Sequence, residues 1–266
     1  MLQPSEVDKA GELRRRKGAP LMGASGDCAL SPAMPRKARA LASGTLRPLI
    51  ILGLCLLSAP HSVLSQSKHP VTGREIAGVM GMGGADWLVR PEREMEESPD
   101  KALDAIAIPK GATVADIGAG VGYFTWRLAE RVGPSGKVYA NDIQPRMLER
   151  LKRNIAERGW NNVETVLGVE DDPKLPEGAV DLIMLVDVYH EFSQPQHMLA
   201  RMRDSLKPSG RLVLLEYRKE DPSVPIRFEH KMTVAEVRAE LEAEGFRFER
   251  NLDPLPRQHI LIFRKR

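Results

Sequence analysis

The sequence predicts an α/β fold: a seven-stranded, mostly parallel sheet with helices on both faces, closed by a C-terminal antiparallel hairpin. Three observations predict it. From residue 98 onward, short runs rich in Val, Ile and Leu alternate with segments of helical apolar spacing, the pattern of repeated strand-helix units. Residues 180–186, Val-Asp-Leu-Ile-Met-Leu-Val, are almost continuously apolar, as a strand buried on both faces of a parallel sheet must be. The last two apolar runs, 246–251 and 259–264, are joined through Leu252-Asp253-Pro254-Leu255-Pro256. A parallel crossover needs about a dozen residues or more, so this pair must run antiparallel.

The 266 residues suffice for one domain with a sizeable core and a tail, divided here as leader 1–65, arm 66–97 and domain 98–266. Residues 1–65 hold nine Lys or Arg and four Asp or Glu, leaving 30 and 32 for the rest. The basic balance therefore belongs to the leader, and the body offers no stripe for nucleic acid. Both cysteines, Cys28 and Cys55, fall in the leader as well, which excludes a cysteine-ligated metal, a catalytic thiolate and a disulfide framework from the body. No metal site is expected. In the leader, Arg36, Lys37, Arg39 and Arg47 precede an apolar stretch at 49–57, with Val63 and Ser65 ahead of Gln66. That is the layout of a secretory signal peptide, and the apolar stretch falls short of the roughly 20 residues that span a bilayer. Export to the periplasm or a membrane surface, with membrane association through an uncleaved leader, is the expectation.

The arm contains Gly81, Gly83, Gly84 and Trp87 and reads as irregular. After an acidic stretch at 91–97, Ser98 is expected as an N-cap with Pro99 in the first turn of a helix whose apolar side is Ala102, Leu103 and Ile106.

Residues 113–117 form the first strand, and 123–132 the helix after it. Between them Gly118, Gly120 and Gly122 let the backbone turn sharply and approach a ligand beside the free N–H groups of a helix start. A dinucleotide-binding turn wants its third glycine at position 123, where this chain has Tyr123. Asp116, at the end of the strand, repels a pyrophosphate and attracts an ammonium or sulfonium group. The second strand, 137–141, ends in Asp142-Ile143, with Asp142 22 residues past Gly120. The helix at 144–158 turns Met147, Leu148, Leu151 and Ile155 inward and stops at Gly159. The third strand, 163–167, leads into Gly168-Val169-Glu170-Asp171-Asp172. After the fourth, 180–186, come Asp187-Val188-Tyr189-His190-Glu191-Phe192 and a helix at 194–206 opened by Ser193. Pro208-Ser209-Gly210 turns into the fifth strand, 211–217. Thr233-Val234-Ala235-Glu236 is a capping box, stapled by Met232 and Val237, and Gly245 closes its helix.

The run D-x-G-x-G-x-G at Asp116–Gly122, with Asp142 and Glu170-Asp171 after the next two strands, resembles the class I S-adenosylmethionine-dependent methyltransferases, whose sheet is Rossmann-like. The segments 187–192, Tyr217-Arg218-Lys219-Glu220-Asp221 and Leu255-Pro256-Arg257-Gln258-His259 resemble a bacterial group of these enzymes with secretory leaders, over residues 69–266. The resemblance implies S-adenosyl-L-methionine as cofactor, with Asp116, Gly118, Gly120 and Gly122 at its methionine end and Asp142 with Ile143 at the ribose. It implies Glu170 or Asp171 at the adenine, and the backbone around Val186 and Asp187 near the ammonium. It names no substrate; a small molecule, quinone-like or lipid, suits the leader. A cofactor made in the cytoplasm keeps a cytoplasmic location as the alternative to export, and the oligomeric state is not legible.

Ligands of such sheets bind outside the carboxyl ends of the strands. His190 is therefore the expected general base, having an ordinary pKa near neutrality, and Tyr189 is expected to orient substrate through its hydroxyl. Glu191 and Asp187 are candidate partners for the histidine. Arg218, Arg227 and Lys231, on the loop after the fifth strand, are candidates for attracting an anionic group. Two other readings compete: a nicotinamide-dependent oxidoreductase, opposed by Asp116 and the missing glycine, and a non-catalytic binding protein that keeps the fold.

Overall fold

The computed structural model describes residues 67–266. The leader expectations, including Cys28, Cys55, the basic residues and the 49–57 stretch, lie outside the described residues. Seven strands form one sheet in the order β3-β2-β1-β4-β5-β7-β6: β1 (Thr113–Ile117), β2 (Lys137–Asp142), β3 (Val163–Leu167), β4 (Val180–Val186), β5 (Leu206–Tyr217), β6 (Phe246–Leu252) and β7 (Gln258–Lys265). Neighbours from β3 to β5 run parallel, while β7 is antiparallel to both β5 and β6.

The continuous apolar runs have a two-sided cause. Side chains alternate across a strand, and both faces are covered. Val114, Leu182, Met184, Val213 and Leu215 pack against α2 (Pro99–Ile106) and α3 (Thr125–Val132). Their neighbours Ala115, Ile117, Ile183, Leu185, Leu212 and Leu214 pack against α5 (Pro195–Ser205) and α6 (Val234–Ala243). The apolar face of α4 (Pro145–Glu157) closes over Ala140.

Several boundaries differ from the sequence reading. β5 starts five residues early because Leu206 already pairs with Val180; the chain then bulges through Pro208-Ser209-Gly210 before Arg211 pairs with Leu182. Ser193 does not cap α5, since its hydroxyl donates to Glu170 and the N-cap position belongs to Gln194. The acidic stretch contains an unforeseen helix, α1 (Arg93–Glu97), held by an Arg93–Glu97 contact one turn apart. Ser98 occupies the expected N-cap position of α2 but makes no side-chain cap; in a left-handed conformation (φ 49°) it joins α1 to α2. The capping box of α6 is present in both its bonds.

The arm belongs to the same compact unit as the sheet. Its first residues fold back on themselves, with Gly73 N–H donating to His69 C=O at 2.8 Å. Two 3-10 turns follow, at Met82–Gly84 and Trp87–Val89. Arg74 grips Glu240 of α6 through two nitrogens, Nε to Oε1 at 2.9 Å and Nη2 to Oε2 at 3.1 Å, and Thr72 and His69 also contact that carboxylate. A buried ion pair with each oxygen bonded makes this a defined anchor for the arm. Among the described residues, no helix is long and apolar enough to cross a membrane.

Candidate active site

A cavity of about 610 Å3 opens at the carboxyl ends of β1, β2, β4 and β5. Its first wall is the glycine turn after β1. Gly118 (φ 68°) and Gly120 (φ 55°) are both left-handed, a conformation that disfavours any side chain. At Gly118 a Cβ would also stand 2.4 Å from Val188 Cγ2, so the turn and the loop after β4 meet with no room between them. Asp142, at the end of β2, holds this turn in place: Oδ2 accepts from Gly120 N–H at 2.9 Å, and Oδ1 accepts from Gln144 N–H at 2.8 Å at the start of α4.

Asp116 is buried and accepts a hydrogen bond from Thr125 Oγ1 at 2.6 Å. Burial pushes its carboxyl up to about 7, and burial raises that of Asp142 as well. Asp187, just past β4, takes the left-handed conformation (φ 50°) rare for a side-chain-bearing residue. Its Oδ2 accepts from Gln258 Nε2 at 2.7 Å and lies 3.9 Å from Arg93, while Oδ1 is buried without a hydrogen-bond partner. Burial and the nearby carboxylates of Glu97 and Glu216 hold the Asp187 carboxyl well above its ordinary range. Asp116, Asp142, Asp187 and Arg93 all line the cavity. Three carboxyls against one guanidinium make this wall suited to a cationic ligand.

Of the other residues expected at a cofactor, Gly118, Gly120, Ile143 and Glu170 line the cavity, whereas Gly122 and Asp171 do not. Gly122 instead packs against α4, where a Cβ would meet Leu151 Cγ at 3.0 Å. Of the pair Glu170 and Asp171, Glu170 is the one that lines the cavity.

The second wall is built from the loop after β4, the end of β5, the loop before α6 and the arm. His190 is buried and lines the cavity. Its Nδ1 lies 2.7 Å from Glu216 Oε2, and the other oxygen of Glu216 accepts from Tyr189 N–H at 3.0 Å. Neither candidate partner named from the sequence fills this role: Asp187 is held by Gln258, and Glu191 Oε1 stays 4.0 Å from His190 Nε2. Nε2 of His190 instead meets His230 Nδ1 at 3.1 Å, and His230 Nε2 meets Arg227 Nη2 at 2.8 Å. Glu191 lines the cavity with its carboxyl pushed up to about 7 by burial. Ligand atoms of His190, Glu191 and His230 lie within 4.8 Å of one another, a spacing that could hold a metal ion. A guanidinium only donates, so with Arg227 in place neutral His230 carries its hydrogen on Nδ1, facing His190.

Tyr189 departs from its expected role. Its ring is fully buried in the core and its hydroxyl lies 3.3 Å from His69 Nε2, among the residues that anchor the arm, so it does not line the cavity. Arg218 and Lys231 are likewise committed elsewhere. Arg218 donates to the Leu255 carbonyl and pairs with Asp253, and Lys231 Nζ donates to the Val224 carbonyl at 2.7 Å. Arg227 does reach the cavity.

Glu216, Arg93, Met80 and Leu88 were not singled out from the sequence, and Trp87 and His230 were noted only as members of the arm and of the loop after the fifth strand. A signal for Glu216 existed: one carboxylate closing the apolar run Leu212–Leu215 is a charge at the end of a buried strand. Nothing local marked His230 as a partner, because it lies 40 residues from His190.

Residues 114–210 match a family model described as a methyltransferase domain. Over 125 residues the chain is 31% identical to the ubiquinone/menaquinone biosynthesis C-methyltransferase of Hahella chejuensis (strain KCTC 2396), covering 47% of this chain and 49% of that protein. Over 139 residues it is 33% identical to the nocamycin O-methyltransferase of Saccharothrix syringae, covering 52% and 47%. The chain thus spans about half the length of the curated relatives it matches. The crystal structure of a SAM dependent methyltransferase from Aquifex aeolicus superimposes with a TM-score of 0.66 at 28% identity, covering 70% of this chain and 98% of that one.

Proposed function

From a chain that carries a class I S-adenosylmethionine-dependent methyltransferase domain, we propose transfer of the methyl group of S-adenosylmethionine to a small, largely apolar molecule whose acceptor atom bears a proton. The cofactor, when bound, supplies an electrophilic methyl on a sulfonium whose charge is lost in the transfer. The first wall fits such a group. In this reading Asp142 would accept from the ribose hydroxyls, and Asp116 and Asp187, whose carboxyls burial holds above their ordinary range, would ionise against the sulfonium and ammonium.

The observation that carries the acceptor reading is the buried His190–Glu216 pair on the cavity wall. A carboxylate behind an imidazole fixes its tautomer and favours the imidazolium that forms when the imidazole system takes up a proton. An acceptor without a proton needs neither. The same cavity is lined by the apolar side chains Ile76, Met80, Trp87, Leu88, Phe192 and Ile226, which suit a flat apolar ring. A quinol- or phenol-like acceptor fits this lining, and the names of the two relatives, quinone C-methylation and nocamycin O-methylation, support the same class. Alignment and water exclusion supply much of the rate in such a displacement, so the apolar wall contributes alongside the imidazole.

Titration of the full chain by calorimetry with S-adenosylmethionine and, separately, NAD tests the cofactor. Binding of the first alone is expected; binding of NAD, or of neither, overturns it. Release of S-adenosylhomocysteine with a panel of phenols and hydroquinones then tests the acceptor class. We also read the basic-then-apolar leader as an export signal, which N-terminal sequencing of the mature protein checks by looking for a start at Gln66.

A further inference from the structure

On the reading of a protic acceptor just given, we propose that the atom receiving the acceptor's proton is Nε2 of His230, with His190 and Glu216 behind it as a relay.

The direction of each hydrogen bond carries this. The Arg227 guanidinium has donors only, so His230 Nε2, 2.8 Å from Nη2, must accept. Neutral His230 therefore bears its hydrogen on Nδ1 and donates it to His190 Nε2 at 3.1 Å. His190 in turn bears its hydrogen on Nδ1 and donates to Glu216 Oε2 at 2.7 Å, while Tyr189 N–H occupies Oε1. The four side chains thus form one series with every donor pointing inward: Arg227, His230, His190, Glu216. Positive charge on His190 would require His230 to accept at both nitrogens, which a neutral imidazole cannot do. Burial, then His190, then Arg227 lower the pKa of His230, in keeping with a neutral ring.

Access separates the two histidines. His190 is 2% exposed, and its one lone pair is already taken by His230. Freeing it requires the 228–230 turn to leave. That turn is tethered by Met232 N–H to the Tyr217 carbonyl at 3.0 Å and by Lys231, whose ammonium is tied to the Val224 carbonyl. The lone pair of His230 Nε2 is covered only by Arg227, whose side chain is 76% exposed and can swing aside without unpacking anything. Both residues line the cavity. The charged and titratable groups facing His230 are Arg227 and Glu229 beside it, His190 and Glu216 across the loop, and Glu191, whose carboxylate lies within 4.8 Å.

An acceptor hydroxyl that replaces Arg227 gives a balanced step. The oxygen forms its bond to the methyl carbon as the carbon–sulfur bond breaks, and that electron pair stays on the sulfur. The O–H proton passes to His230 Nε2, the Nδ1 proton of His230 passes to His190 Nε2, and the resulting imidazolium rests against Glu216. The relay resets when His190 returns its proton to His230 Nδ1 and Nε2 releases one to water. His230 is then the catalytic residue, while His190 and Glu216 are positioning residues.

Diethyl pyrocarbonate acylates a bare imidazole nitrogen, and mass spectrometry of the full chain locates the product, with exposed His197 as internal reference. His230 should react more slowly than His197, and Arg227→Ala should accelerate His230 several-fold without changing His197. His190 should stay unmodified in both proteins and become reactive in His230→Gln. Long-range 1H–15N spectra of the wild-type imidazoles should show the Nδ1–H tautomer at both His190 and His230, a readout that needs no variant to fold. Modification of His190 ahead of His230, an Arg227→Ala rate equal to wild type, or an Nε2–H tautomer at His230 overturns the proposal. Calorimetry with S-adenosylmethionine on the wild type reports separately on the cofactor reading, so the two can fail independently.

Discussion

At the glycine turn that faces the proposed cofactor, polar contacts are close in sequence, although Asp187 on the same wall reaches 71 residues to Gln258. Gly120 bonds Asp142 22 residues on, Gln144 bonds Asp142 two residues back, and Thr125 bonds Asp116 across nine. On the wall that faces the proposed acceptor they are distant. His190 reaches 26 residues to Glu216 and 40 to His230, Tyr217 reaches 120 to Glu97, and the arm reaches 166 from Arg74 to Glu240. The first wall is set by backbone geometry, two left-handed glycines and the end of a strand, which leaves little freedom once the sheet has formed. The second depends on tertiary packing to bring four segments together, and its chemistry can vary while the sheet stays the same.

The comparison breaks hardest at Asp142. Asp142→Ala removes the acceptor of the Gly120 amide and the proposed ribose contacts. Hydrogen bonds to a charged group contribute about 1.5–3 kcal/mol each, so losing two should raise the Kd for S-adenosylmethionine about a thousandfold by calorimetry. The imidazole tautomers of the second wall should not change. If they do, the two walls are not separable.

Glu240→Gln asks the converse. The substitution leaves the buried Arg74 guanidinium facing a neutral amide. Breaking a buried pair costs about 3–5 kcal/mol, which lowers Tm by about 10 °C for a domain of this size. Hydrogen exchange should quicken in residues 69–77 and stay slow in 113–122; equal loss of protection in both would merge the walls into one unit.

A smaller effect sharpens the contrast. With its carboxyl pushed up to about 7 by burial, Asp116 is protonated at lower pH, and a bound cation favours the ionised form. S-adenosylmethionine affinity should therefore fall as pH drops through 7, by about tenfold per unit below it, with proton release on binding that differs measurably between calorimetry buffers. Asp116→Asn should flatten that profile. Dependence unchanged in the variant would move the titration to Asp142 or Asp187.

The same contrast explains how much the sequence revealed. Apolar runs located the strands: the central ones because a sheet covered on both faces must be apolar along its buried length, and the edge strands β3 and β6 only through partial apolar runs. The loss of the crossover between 252 and 258 predicted the hairpin. The glycine turn with Asp116 and Asp142 was legible because its parts sit at fixed offsets from strand ends. Glu216 and His230 were not, since no local offset relates a strand end to a histidine in another loop. Tyr189 misled for a related reason. Next to His190 in the chain, it sends its side chain into the core, because consecutive residues of the 189–191 turn point in different directions. Helix α1 was missed because its charged composition lacks an apolar stripe; its packing comes from Arg93 beneath Tyr123 and against Glu97.

Gly118 has a mechanical meaning. Its Cα lies against Val188 with no space for a methyl group, so the two walls are in register like the closed faces of a caliper. Any side chain at this position would act as a shim, lengthening the path between donor and acceptor for every substrate alike. On the proposed function, differences in acceptor preference would then come from residues that reshape the far jaw, the arm and the 225–231 loop, while the zero of the gauge stays fixed.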